Sequence, residues 1–180
     1  MASIITATTT SGLTQSADNS GVLQLASGTG NLVTVPSVTG TVMVSGNIPT
    51  FYAYLNSTQA VTGGVWTKVQ LNAELFDTAN AFNTSTNRFT PLVAGYYQIN
   101  AQPGGIDTTY SGGNASAIYK NGVYYSSAYI ANTGIPAISN LVYLNGSTDY
   151  VELYVYLGTS QNLTASAGSN YLSGFLARAA

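Results

Sequence analysis

The sequence predicts an all-β protein: a jelly-roll sandwich of two antiparallel sheets with about eight to ten strands, preceded by an extended β-rich arm. From Phe51 onward, short stretches of alternating apolar and polar residues recur about every ten residues, which is typical of a sandwich. Two of them flank Asn121-Gly122, the strongest hairpin signal in the chain. No window places apolar residues at helical spacing between capping residues.

The predicted strands follow one another with few interruptions. The first is rich in aromatic residues, and the second and seventh alternate most clearly. The sixth ends at Asn145-Gly146, which predicts a second tight turn. Within the seventh, Glu152 sits among alternating apolar residues, so we expect its side chain to face solvent. In order, the predicted strands are residues 51–55, 65–71, 96–102, 117–120, 123–125, 137–144, 149–157 and 170–178.

Residues 1–46 differ from residues 47–180 and are interpreted as a separate segment. They are rich in Thr, Ser and Gly, contain no aromatic residue, and carry one charge, Asp18. Such a composition suits a flexible linker. It equally suits an arm that intertwines with other subunits or lies on a neighbouring protein, and the regular spacing of three short apolar pairs favours this second interpretation. The predicted attachment residues are Leu23, Leu25, Val33, Val35, Val42 and Val44.

The composition argues against several classes of function. The chain has no histidine and no cysteine, which removes the commonest general base, metal ligand and thiolate nucleophile. Its four basic residues are far apart in sequence, so we expect no nucleic acid partner. We expect neither a secretory signal nor membrane insertion, because no apolar run is long enough. Few charges beside 14 tyrosines favour an obligate oligomer.

Two motifs resemble those of a known family. Asp77, Phe82, Phe89, Gly95 and Tyr97 have the spacing of the signature of the globular-head family of the first complement component, which shares its jelly roll with tumour necrosis factor. The ending 171–176, with Ser-Gly-Phe-Leu, is similar to that family's last strand. The resemblance implies a ten-stranded jelly roll that forms a homotrimer through aromatic residues of one sheet. The candidate core or trimer-contact residues are Trp66, Phe82, Phe89, Tyr97, Tyr154 and Phe175.

The arm departs from the animal members of this family, which carry a signal peptide and a collagen stalk. It resembles instead the Thr/Ser/Gly-rich arms of structural proteins of tailed bacteriophages. The sequence therefore predicts a non-enzymatic protein of the virion surface, assembled in the host cytoplasm, whose arm attaches a trimeric head to the major capsid protein or a tail component. It would be a cement or decoration protein or a short fibre. The alternatives are a fibre tip that recognises host glycan and, less favoured, a secreted signalling ligand.

Carboxylates are the only catalytic groups left, and their spacing is unfavourable. Asp149 and Glu152 are three residues apart on one predicted strand, which places them on opposite faces. Glu74 and Asp77 have the same separation. Asp77 and Asp107 are interpreted as turn residues rather than calcium ligands, because calcium needs six to eight oxygens. We therefore predict no catalytic site, no cofactor and no metal.

Glycan contact is the remaining binding hypothesis. Tyrosines can stack on sugar rings while neighbouring amides and hydroxyls hydrogen-bond them. Strand alternation offers a competing explanation in which the tyrosines belong to strands and the trimer interface, and the alternation favours that explanation. The candidate contacts are Tyr110, Asn114, Tyr125 and Tyr129, accompanied by Tyr124, Ser127 and Asn132.

Overall fold

The computed structural model describes residues 23–26, 32–35, 48–104, 112–131 and 134–180. The chain divides into two units, one ending at Val42 and the other beginning at Met43. Five residues singled out from the sequence, Val42, Val44, Asp107, Tyr110 and Asn132, lie outside the described residues. All regular secondary structure in the described part of the chain is β-strand. These residues include no helix long and apolar enough to cross a membrane.

Fifteen strands are present in the described residues. They are β1 (Leu23–Ala26), β2 (Leu32–Val35), β3 (Thr50–Leu55), β4 (Gln59–Val61), β5 (Trp66–Lys68), β6 (Ala73–Asp77), β7 (Phe82–Asn83), β8 (Arg88–Phe89), β9 (Gly95–Gln102), β10 (Asn114–Lys120), β11 (Val123–Ile130), β12 (Ile138–Leu144), β13 (Val151–Tyr156), β14 (Gln161–Leu163) and β15 (Ser166–Ala179).

The N-terminal unit contains an antiparallel pair, β1 and β2. Leu23 lies opposite Val35, and Leu25 opposite Val33. Four of the six predicted attachment residues thus lie on these two paired strands.

The second unit is an antiparallel β-sandwich, as the sequence predicted. One sheet has five strands in the order β12-β9-β15-β3-β6, and the other has six, β11-β10-β13-β8-β7 with β5 also paired to β13. A small sheet, β14-β4, accompanies them. Strands adjacent in a sheet are mostly distant in sequence, because β15 lies between β9 and β3 and β13 lies between β10 and β8. Such crossing connections are the mark of a jelly roll.

The complement-like signature forms the centre of the core. Phe51 stacks on Phe89 at 3.9 Å between ring centroids, and Phe89 meets Tyr97 edge-on at 5.5 Å. All three are almost completely buried. The carboxylate of Asp77 accepts hydrogen bonds from the backbone N–H groups of Ala79 and Phe82, so it holds the turn that brings Phe82 into the same cluster. The signature therefore specifies core packing and a turn.

The two Asn-Gly pairs differ in outcome. Asn121 and Gly122 both have positive φ, 55° and 75°, which is the geometry of a two-residue turn joining β10 to β11. The hairpin prediction is confirmed. The chain also turns at Asn145-Gly146, where Gly146 has a φ of 73°, but this turn does not join a hairpin, because β12 and β13 belong to different sheets. The chain crosses between the two sheets through residues 145–150. Within this loop, Asn145 Oδ1 accepts hydrogen bonds from the backbone N–H groups of Ser147, Thr148 and Asp149.

Candidate interaction faces

The outward side of the five-stranded sheet has few charged groups, and we call it the uncharged face. Strands β3, β9 and β12 contain no charged residue, β15 contains only Arg178, and the edge strand β6 carries Glu74 and Asp77. Large apolar and aromatic side chains on this side remain about half exposed. They lie in cross-strand rows, since Tyr143 pairs with Tyr96, and Gln98 pairs with both Leu141 and Phe175. The ring centroids of Tyr96 and Tyr143 are 5.4 Å apart.

Polar groups on the uncharged face are largely paired with one another. The Gln98 amide donates to the Ser139 hydroxyl at 2.8 Å, and that hydroxyl donates to Asn100 Oδ1 at 2.8 Å. Further along, Tyr52 stacks on Tyr171 at 5.1 Å between centroids. Burial and the neighbouring Tyr171 raise the pKa of Tyr52 above its ordinary value. The face is thus a preorganised surface of rings and satisfied amides, suited to contact with another uncharged surface.

The outward side of the six-stranded sheet carries a second cluster, which we call the aromatic platform. It is defined by Trp66, Tyr119, Tyr124, Tyr154 and Tyr156. Tyr119 stacks on Tyr154 at 3.8 Å, and the Trp66 ring lies 5.7 Å from Tyr156 and 6.1 Å from Tyr124. The five rings come from four strands, β5, β10, β11 and β13.

The platform covers the sheet beneath it. Ala117 pairs with Tyr154 on one side and Ser127 on the other, on the face turned away from the core residue Ile118. It is nevertheless 0% exposed, because the rings lie across it. Burial also raises the pKa of Tyr119 and of Tyr154. The outer ring surfaces of Trp66 and Tyr124 stay open, with 36% and 50% of these residues exposed.

A charged cluster borders the platform. Glu152 Oε1 accepts from Arg88 Nε at 2.8 Å and from Lys68 Nζ at 3.0 Å. Glu152 is 1% exposed, so the prediction that it faces solvent is wrong. The register of β13 does place the Glu152 side chain on the outward side of the sheet, but Lys68 and Arg88 cover the carboxylate. Within the described residues its Oε2 has no hydrogen-bond partner. Two of the four basic residues, far apart in sequence, thus converge on one carboxylate.

The six candidate core or trimer residues divide into three groups. Phe82, Phe89 and Tyr97 are buried in the core. Trp66 and Tyr154 belong to the aromatic platform, where Trp66 is exposed and Tyr154 partly so. Phe175 is exposed on the uncharged face.

Among the described residues, the predicted glycan contacts Asn114, Tyr125 and Tyr129 do not form one site. Asn114 is fully buried, and its amide donates to Gly134 O and accepts from Gly158 N, so that choice is wrong. Tyr125 donates its hydroxyl to Leu141 O and takes no part in the ring contacts of the platform. Tyr129 is well exposed on β11. Sequence reasoning did not select Tyr119 or Tyr156 as site residues, and it treated Lys68 and Arg88 as isolated charges. The one sequence signal for the aromatic platform was the alternation of residues along the strand around Tyr154.

The members of the two carboxylate pairs differ in their surroundings. Asp149 is bonded to Asn121 Nδ2 at 2.8 Å and to Lys120 Nζ at 3.0 Å, and the first of these contacts contributes most to lowering its pKa. Burial, followed by the charge of Asp77, raises the pKa of Glu74. The described part of the chain contains no cluster of three or more side chains able to hold a metal ion.

Comparison with known proteins finds similarity in structure. No protein-family model and no curated protein sequence matches the chain. Among solved structures, the globular domain of a zebrafish complement 1qA protein superposes with a TM-score of 0.53 at 17% identity, covering 74% of this chain and all of that one. Murine APRIL at pH 8.0 gives 0.57 at 10% identity, over 72% and 99% of the two chains.

A tumour-necrosis-factor protein of S. frugiperda, Eiger, gives a TM-score of 0.58 at 8% identity, over 74% of this chain and 94% of that one. In each comparison, the aligned part of this chain has about the length of the sandwich. At these low sequence identities, the similarity establishes a shared fold and nothing more. The head of this chain therefore has the jelly-roll fold of the complement globular-head and tumour-necrosis-factor-like domains.

Proposed function

We propose that the head is a non-enzymatic module that assembles as a homotrimer through the uncharged face. The observation that carries this is the absence of charge from β3, β9 and β12 combined with half-exposed Tyr96, Leu141, Tyr143 and Phe175. Monomeric proteins rarely leave so much contiguous apolar surface in water. The trimeric stoichiometry follows the likeness to the complement and tumour-necrosis-factor-like fold.

The N-terminal unit supports an attachment role. An isolated two-stranded pair is marginal in water and needs another surface for its apolar side. In the sequence, the apolar residues of this pair include Leu23, Leu25, Val33 and Val35. We therefore assign residues 1–46 to the attachment of the trimer to a larger particle, and we propose a tailed-phage virion because the arm's composition resembles the arms of such structural proteins. The head would be a decoration protein or a short fibre, with the major capsid protein or a tail component as partner.

Light scattering on the full chain tests the assembly. We expect a mass of three times 18.6 kDa. Leu141→Arg places a charge in the uncharged face and should yield folded monomers, because three symmetry-related cations would be buried together. Val123→Arg, at a more exposed position on the edge of the other sheet, is the matched control and should remain trimeric. A wild-type monomer, or a trimeric Leu141→Arg variant, would contradict the proposal.

Deletion of residues 1–46 tests attachment separately. The shortened chain should stay trimeric but no longer bind purified particles. Particle imaging then distinguishes a decoration protein, present in many copies over the capsid, from a fibre located at the tail. The aromatic platform favours a second candidate function, recognition of surface glycan.

A further inference from the structure

The aromatic platform lies on the opposite side of the sandwich from the uncharged face, so the proposed trimer leaves it open. We propose that it binds an acidic oligosaccharide, whose pyranose rings stack on Trp66 and Tyr124 and whose carboxylates lie against Arg88 and Lys68. One subunit holds the complete platform. The inference therefore stands independently of trimer formation and of the particle on which the protein is displayed.

The ring geometry suits a sugar. Pyranose rings present flat patches of C–H groups, which pack on aromatic faces while their hydroxyls bond to polar groups at the edge. Trp66 and Tyr124 are in edge contact and both keep open surface. The hydroxyl of Tyr124 is hydrogen-bonded to that of Ser127 beside the rings. The surface thus offers a continuous apolar area with hydroxyls at its margin, the usual composition of a carbohydrate or small-ligand site.

The net charge beside the aromatic platform indicates that the ligand is an anion. Lys68 and Arg88 share the single carboxylate of Glu152, which leaves a local charge of +1. The other described carboxylates are elsewhere: Asp149 is paired with Lys120, and the remaining two lie on β6 of the five-stranded sheet. Among the described residues, an approaching carboxylate therefore meets a net positive charge at this border, because the one carboxylate adjacent in sequence to Tyr150, Asp149, is paired with Lys120.

Arg88 is oriented to receive such a group. Its Nε is used by Glu152 and its guanidinium lies 4.0 Å above the Tyr150 ring. Its two terminal nitrogens make no hydrogen bond within the described residues, and its side chain is 37% exposed. A planar guanidinium in this state can bind a carboxylate through two parallel hydrogen bonds. Single-stranded nucleic acid also stacks on aromatic rings, but it needs cations along a phosphate backbone, and only two are present here.

Trp66 provides a direct readout, since it is the only tryptophan in the chain. The full-length protein is titrated with hexasaccharides of α-1,4-linked galacturonate, of mannuronate, and of methyl-esterified galacturonate, and with a dT hexanucleotide, while Trp66 emission is followed. We expect saturable changes with an acidic hexasaccharide, weaker binding of the ester, and loss of affinity as salt rises. No response to either acidic sugar, equal binding of the ester, or tighter binding of the oligonucleotide would overturn the proposal.

Two matched pairs of variants locate the site. Tyr124→Ala should weaken binding about fivefold, within the range of one aromatic contact, whereas Tyr125→Ala, next in sequence and similarly exposed at 44% against 50%, should not. Arg88→Gln should weaken binding of the acidic sugar and reduce its salt dependence, whereas Lys120→Gln should leave both unchanged. Equal effects within either pair would refute the placement. Circular dichroism and light scattering on each variant separate loss of sugar binding from loss of fold or of the trimer.

Discussion

Replacing the buried carboxylate Glu152 with glutamine tests whether the charged cluster stabilises the six-stranded sheet. Glu152→Gln keeps the size of the side chain and one acceptor oxygen but removes the charge that holds Arg88 and Lys68. Breaking a buried ion pair from one side costs roughly 3–5 kcal/mol, while an exposed pair contributes about 0–1 kcal/mol. Here the carboxylate is 1% exposed but its partners are 37% and 29% exposed, so water relieves them in part.

Between these limits we expect a loss of about 2 kcal/mol in the free energy of unfolding. For a domain of this size such a loss lowers the melting temperature by roughly 5–10 °C. Urea denaturation followed by tyrosine and Trp66 fluorescence measures the first quantity, and calorimetry measures the second. Because the carboxylate is buried, most of the loss should persist in concentrated salt.

Lys120→Gln is the control, since Lys120 pairs with Asp149 at 3.0 Å near the surface and its removal should cost about 1 kcal/mol or less. The double variant Glu152→Gln with Arg88→Gln should cost less than the sum of the two single changes, because the second removes a cation that the first has left unpaired. A Glu152→Gln protein as stable as the wild type, or strict additivity in the double variant, would refute the structural role of the cluster.

Three further changes test the core and the backbone. Burial raises the pKa of Tyr97 from 10.0 to about 12, so the Tyr97 hydroxyl stays protonated to a higher pH in the folded state than in the unfolded state. Stability should therefore fall by roughly 1–3 kcal/mol as pH rises from about 10 to 12, and Tyr97→Phe should abolish this part of the pH dependence. Gly95→Ala would drive its new methyl group into the backbone of β15 and should unfold the head at room temperature, whereas Gly168→Ala, which meets only a side-chain oxygen at 3.8 Å, should melt close to wild type. Asn170→Ala removes the buried amide that bonds both backbone groups of Gly104 and should lower stability by about 2–4 kcal/mol, as measured in urea.

Local chemistry predicted much of the fold. Eight strands were predicted because the sequence alternates over several residues around them. The Asn121-Gly122 turn was predicted because both residue types readily adopt the positive φ that its geometry requires. Five short strands, β4, β6, β7, β8 and β14, were not found. Four of them have only two or three residues, too few to show a period. Their pairing depends on the strands that flank them.

Sheet membership was the part that the sequence could not supply. Asn145-Gly146 has the same local signal as Asn121-Gly122, yet it belongs to a loop between two sheets. The two pairs differ because β12 pairs with β9, which is distant in sequence, and not with the strand that follows it. The burial of Glu152 was missed for the same reason, because its cover comes from Lys68 and Arg88, which are 84 and 64 residues away.

The candidate sites show this limit most clearly. Phe82, Phe89 and Tyr97 could be chosen from the spacing of one continuous stretch, and all three lie in the core. The aromatic platform joins residues from positions 66 to 156 on four strands, and only the topology brings them together. No spacing rule within one segment could have selected Trp66 with Tyr124.

The two outward faces differ in charge in the way that symmetric assembly requires. A charge on a face that meets its own copies would be buried beside identical charges around the symmetry axis, where no opposite partner is guaranteed. Strands β3, β9 and β12 contain no such charge, and Arg178, which pairs with the outward residue Tyr96, lies near the end of β15. The opposite face has no such restriction, and it carries Lys68 and Arg88, held in place by Glu152. On the proposed function, this distribution of charge leaves the uncharged face for self-association and the aromatic platform for a foreign ligand.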